Sequence, residues 1–238
     1  MTTPERDLLR RAPVISIILP VLNETKGIDE VITRLREQDT YNRMEIIVVD
    51  GDATGTTINA IKDEKVLKFT SEKGRACQMN CGAAFARGDV LLFLHADTLL
   101  PSRALDLVRA ALDDSRSVAG AFELGFNTER VIFRVTEMYV SLRTRLTRVP
   151  FGDQAIFVRR DYFEKIGGYR EIPLMEDVEL MKRIKKRGDR IVIIPEKVRT
   201  SPRRYEQEGI IYCTLRNWLV QALYAWGVPA ERLEKWYE

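Results

Sequence analysis

The strongest constraint on this chain is a pairing that recurs through its first hundred residues. A short run rich in Val, Ile and Leu is followed each time by an amphipathic stretch. The runs are VISIILP (14–20), MEIIVVD (44–50), VLKF (66–69) and DVLLFL (89–94). Amphipathic segments near 26–37, 53–63, 75–86 and 101–114 separate and follow them. Strands apolar on both faces, joined by helix-length connections, predict a mainly parallel sheet covered by helices on both sides. This is an α/β, Rossmann-like architecture, whose ligands sit at the carboxyl ends of the strands.

Beyond residue 118 the pattern loosens. VAGAFELGF reads as a strand, 130–147 as an arginine-studded helix, and FGDQAIFVRR (151–160) as another strand. LMEDVELMKRIKKRGD then reads as a helix and RIVIIPE as a last strand. These elements are too few for an independent domain and predict the second wall of a cleft. The expected organisation is an N-terminal arm (1–13), a main domain (14–200) and a C-terminal helical extension (201–238). The main domain divides into a first half (14–100) and a second half (101–200).

Composition removes several classes of function. Lys and Arg number 38 against 35 Asp and Glu, a balance that gives no reason to expect a nucleic-acid partner. The single histidine, His95, leaves no elbow serine or cysteine to pair with, which argues against triad chemistry. Cys77 and Cys81 lie one helical turn apart without a second cysteine pair, so they read as small apolar residues rather than zinc ligands. Three cysteines and an N-terminus without an apolar signal core suit the cytoplasm, including the inner face of the membrane.

Polar residues collect at the four strand ends. Asn23 and Glu24 follow the first, Asp50, Gly51 and Asp52 the second, EKGRACQMN the third and HAD the fourth. A helix cap explains one acid per loop, but not acids or a Lys-Gly-Arg at four consecutive ends. Asp97 can ligate a hard divalent cation, Mg²⁺ or Mn²⁺, with a diphosphate completing the shell. Lys73 and Arg75 form the opposing cationic side, and Gly74 lets the backbone approach. In MEDVEL (175–180), Glu176, Asp177 and Glu179 complement a helix dipole; one of them could also stay ionised as a general base.

Taken in order, SIILPVLNE, IIVVDGDATG, KGRACQMNCGA, LLFLHADT, FGDQAIFVRR and MEDVEL resemble a family 2 glycosyltransferase with the GT-A fold. The tail SPRRYEQEGIIYCTLRNWLVQALYAWGVPAERL resembles the small bacterial branch associated with arsenosugar biosynthesis. The likeness covers nearly all of residues 14–233 and implies inverting transfer from a nucleotide-diphosphate sugar, with UDP favoured, to an acceptor hydroxyl. It implies that Pro20 and Glu24 border the nucleotide, that Asp50 meets the base, and that Lys73, Arg75, Gln78 and Asn80 line the ribose and diphosphate. It further implies Asp97 as metal ligand, Asp153 and Gln154 beside sugar or acceptor, and Asp177 as base. His95 stands where many relatives carry the first Asp of a DXD-like motif, leaving it ribose or the metal. Ala53 departs from the family's usual D-G-G-S-T-D-G, and Asp52 is the candidate to cap the helix that follows.

Two rivals stand beside this reading. A nucleotidyltransferase would need a G-x-G-x-R type loop after the first strand, where PVLNETKG stands. A non-catalytic nucleotide-sugar-binding subunit would have no use for Asp97 and Asp177. Arg216, Asn217 and Gln221 interrupt the apolar stretch 210–226, so it reads as a packed helix rather than a span. The domain itself, a second copy in a homodimer and a membrane surface are its three candidate partners.

Overall fold

The computed structural model describes residues 14–38 and 43–237; the expected N-terminal arm lies outside them. Eight strands form one sheet in the order β3-β2-β1-β4-β7-β6-β8-β5. Their ranges are β1 Ile15–Val21, β2 Met44–Asp50, β3 Leu67–Thr70, β4 Val90–Phe93, β5 Thr98–Leu99, β6 Ser117–Phe126, β7 Phe157–Arg159 and β8 Arg190–Thr200. The first four pair in parallel, as do β6 and β8. β7 runs antiparallel to both β4 and β6 and so splices the two parallel blocks into one sheet.

The side-chain period of two explains why the strands read as apolar throughout. Ile15, Ile17 and Leu19 of β1 point to one layer, with Ile28, Ile32 and Leu35 of α1 (Ile28–Gln38) and Leu105 of α4 (Ala104–Ala111). Ile18, with Ile47 and Val49 of β2, points to the other. There it meets Met79 and Ala83 of α3 (Arg75–Phe85) and Met181 and Ile184 of α7 (Glu176–Lys186). Each such fully buried side chain contributes about 1.5–3 kcal/mol.

Two expected elements come out shorter. The amphipathic stretch 53–63 yields only α2 (Thr56–Asn59), because a side-chain carboxylate takes a backbone N–H group a longer helix would need. Asp29 accepts from Lys62 N–H, which would otherwise continue the helix. Residues 151–160 begin as a single 3₁₀ turn (Gly152–Gln154) and become strand only at Phe157. The N–H groups of Phe151 and Gly152 bond to the side chains of Gln154 and Asp177, not to a neighbouring strand.

The remaining helices are α5 (Val131–Thr147), α6 (Arg160–Lys165), α8 (Arg203–Glu208), α9 (Ile210–Ala225) and α10 (Ala230–Tyr237). α8 and α9 lie against α5: Tyr205 packs on Phe126 and Phe133, Trp218 on Tyr139, and Arg143 donates to Gln221. No helix among the described residues is long and apolar enough to cross a membrane.

Candidate active site

The end of β1, the turn after β4, and the loop that leads from β3 into α3 enclose a lobe of about 350 Å³. It is lined by Pro20, Glu24, Lys73, Gly74, Arg75, Gln78, His95 and Asp97, among others. A second lobe, of about 200 Å³, lies toward α5, α7 and α9 and holds Asp153, Glu176, Asp177 and Arg143. Arg75, His95 and Asp97 border both lobes. Together the volumes fall in the range of small-molecule sites.

Asp97 owes its position to the turn after β4. Its backbone carbonyl accepts from Ser201 N–H, and the next two residues pair with Thr200 and Arg199 of β8. The carboxylate is exposed, and Thr98 Oγ1 donates to it at 3.3 Å. Among the described residues no group of three His, Cys, Asp or Glu is arranged to hold a metal. Asp97 therefore suits a hard cation that takes most of its ligands from a diphosphate and water, and does not suit an all-protein cage. Across the lobe, Gly74 takes φ 147°, which starts α3 at Arg75 and leaves Lys73 and Arg75 exposed beside Asp97.

His95 opens partly to the cavity, yet protein surrounds the rest of its ring. Burial, with the Arg75 charge, pushes its pKa down to about 3, so it is neutral at physiological pH. Asp177, in the first turn of α7, accepts from Gly152 N–H at 2.5 Å and Val178 N–H at 2.6 Å. Burial raises its pKa, and those two N–H groups, Arg75 and Arg143 pull the other way. A Cβ on Gly152 would lie 3.1 Å from His95 Nε2 and 3.3 Å from Asp177 Oδ2, so the imidazole and the carboxylate flank this glycine closely. Burial also lifts Asp153, to about 6; Arg143 opposes the shift and Asp177 reinforces it. Asp153 Oδ1 is buried without a hydrogen-bond partner, an acceptor left over inside the cavity.

Four of the anticipated residues brace the walls. Both oxygens of fully buried Asp50 are occupied, accepting from Asp52, Thr57 and Ile58 N–H. Asp50 thus caps α2, the role expected of Asp52, which instead accepts from Thr54 and Thr56. Gln78 lines the first lobe but spends its amide N–H groups on the Val21 and Val49 carbonyls, tying β1 to β2. Asn80 exchanges two bonds with the Tyr169 backbone, and Gln154 bonds Phe122, Phe151 and Thr144. Asp50, Asn80 and Gln154 do not line either lobe.

The fold brings two further residues to the cavity. Arg143 turns inward, stacks 3.6 Å from the Phe151 ring centroid, and faces Asp153 and Asp177. Its signal is the four-residue step from Tyr139, which puts both on the cavity edge of α5. Glu176, one of the three acids expected to complement the helix dipole, is buried in the second lobe. Burial and the Asp177 charge push it up to about 7, with Arg75 opposing. Glu179, by contrast, is ion-paired with Arg170 and Arg183.

Residues 16–170 match the model of glycosyl transferase family 2. A probable glycosyltransferase of Bacillus subtilis, YdaM, is 26% identical over 222 residues, which are 80% of this chain and 51% of that protein. A glycosyltransferase of Mycobacterium tuberculosis, Rv1514c, is 30% identical over 167 residues, 66% of this chain and 63% of that one. The chain thus spans about half to two thirds of the length of these curated relatives. Among solved structures, a mannosyltransferase of Pyrobaculum calidifontis in complex with GDP-Man and Mn²⁺ shares the fold. The TM-score is 0.62 at 23% identity, covering 79% of this chain and 56% of that one.

Proposed function

The chain belongs to glycosyl transferase family 2, and on that basis we propose that it moves a sugar from a nucleoside-diphosphate sugar to an acceptor hydroxyl, with inversion at the anomeric carbon. The observation that carries the proposal is the joining of two lobes, with Arg75, His95 and Asp97 bordering both. Lys73 and Arg75 face Asp97 in the first, while Asp177 sits in the second beside the unpartnered Asp153 oxygen. The diphosphate belongs with the cations and the acceptor with the base.

In the proposed reaction the acceptor oxygen bonds to the anomeric carbon, the bond from that carbon to the diphosphate breaks, and the hydroxyl proton passes to Asp177. Burial favours this role, because it raises the proton affinity of the carboxylate; the Gly152 and Val178 N–H groups keep it aimed. Arg75, which borders both lobes, offsets the charge gathering on the departing phosphate. Neutral His95 adds no charge of its own beside Asp97. Mg²⁺ or Mn²⁺ held by Asp97 would supply the remaining positive charge for diphosphate departure. For the base, UDP and GDP donors should both be tried, since contact of uracil with Asp50 would require that residue to give up its three N–H bonds. Within the family we assign the chain to the branch associated with arsenosugar biosynthesis on the sequence of its tail.

Asp177→Asn keeps the shape and removes the basicity. Donor affinity, measured by calorimetric titration of UDP and GDP, should be retained while turnover of the donor falls by about 10²–10⁴. Near-normal turnover in this variant would remove Asp177 from the reaction.

A further inference from the structure

α5 and α9 present an unusual outward face. On α5 the residues turned away from the domain are Val131, Ile132, Val135, Met138, Tyr139, Leu142 and Leu146, all large, apolar and exposed. The opposite arc, Phe133, Glu137 and Thr144, is buried. The solvent side of this helix is thus more apolar than its core side, the reverse of an ordinary surface helix. α9 with its C-cap repeats the same spacing: Ile211, Tyr212, Leu215, Trp218, Leu219, Ala222 and Trp226 all point outward. Both sets follow i, i+1, i+4, i+7, i+8, i+11, i+15. Tyr139 and Trp218, with ring centroids 4.8 Å apart, join the helices into one face.

Such a face marks an interaction surface, and its rim says which. The only acid on α5 is the buried Glu137, already paired with Arg134 and Lys197, and α9 carries none. Exposed Arg134 and Arg145, ion-paired with Glu137 and Glu123, border the apolar arc of α5, and exposed Arg130 and Arg148 stand at its ends. Apolar side chains, Trp and Tyr at the boundary, and a cationic edge match an anionic lipid surface. Tyr139 and Trp218 belong both to the face and to the lobe lining, so the face adjoins the end of the cavity that leads to Asp177.

We propose that the paired outward faces of α5 and α9 dock the protein on an anionic bilayer surface, lying on it without crossing it. Docking does not depend on the transfer reaction proposed above. If that reaction also holds, the Asp177 end of the cavity opens at the lipid surface, where the hydroxyl of a membrane-borne acceptor could reach it.

The test is flotation with vesicles of phosphatidylethanolamine and phosphatidylglycerol, and with vesicles of phosphatidylcholine alone, beside light scattering of the free protein. The wild type should float with the anionic vesicles, less so at high salt. Leu142→Glu with Leu215→Glu, both outside the cavity lining, should lower the bound-to-free ratio at least about tenfold. Circular dichroism and the nucleotide titration verify folding, and Leu142→Ala with Leu215→Ala substitutes if the glutamate pair does not fold. Three results would each overturn the proposal: a wild type that stays unbound, a double variant that floats equally well, or a wild-type dimer that the same substitutions dissociate. A protein that floats but fails to turn over any donor would leave docking standing and sink only the transfer reading.

Discussion

Glu176→Gln removes one carboxylate from the buried pair at the start of α7, and its consequence can be worked out with its sign. Burial, then the neighbouring Asp177, lifts Glu176 to about 7 from an ordinary value of 4.5. Between those two values the folded protein holds a proton that the unfolded chain has released. Stability therefore falls by about 1.4 kcal/mol for each unit of rising pH across that window. The favourable contribution is fully present below about 4.5 and gone above about 7, a total near ~3 kcal/mol. Glutamine has no charge to desolvate, so the variant should lack this slope. It should exceed the wild type at pH 8 by up to about 3 kcal/mol, or roughly 6–12 °C in Tm for a chain of this size. Urea unfolding of both proteins at pH 5 and pH 8 gives the comparison, and the difference of differences cancels every other titrating group. An equal change between the two pH values in wild type and variant would refute the reasoning, placing Glu176 in contact with water when folded.

Two further outcomes are expected. Asp97→Ala should abolish the Mn²⁺ dependence of nucleotide binding, read as titrations with and without chelator; unchanged dependence would move the metal elsewhere. Gln78→Ala removes the side-chain donor from the Val49 carbonyl and from the Val21 carbonyl, which keeps Gly51 N–H, and should cost about 1–3 kcal/mol in urea unfolding. If it instead weakened nucleotide binding at unchanged stability, Gln78 would be a ligand contact and not a brace.

What the sequence determined by itself was the layer order and the sheet edge where the candidate residues gather. Apolar runs such as ISIIL can be buried only between two layers of helices, and the polar residues after them must then gather along one edge of the sheet. Asp97, Lys73 and Arg75 could be found that way, because strand ends are fixed by the same periodicity that fixes strands. The structure decided which motif residues face the cavity. Asp50, Asn80 and Gln154 have the right polarity but spend it largely on backbone groups of other elements, among them Thr57, Phe122 and Tyr169, which lie 7, 32 and 89 positions away in the chain. The proton affinities of Glu176, Asp177 and Asp153 likewise come from burial by α5, α7 and the 3₁₀ turn together, which no local pattern encodes. The outward faces of α5 and α9 show the division most plainly. Their apolar spacing is written in the sequence, but a helical period carries no mark of which side meets solvent. That was settled by Phe133, Thr144, Cys213 and Val220, which pack inward and leave the more apolar arcs outside.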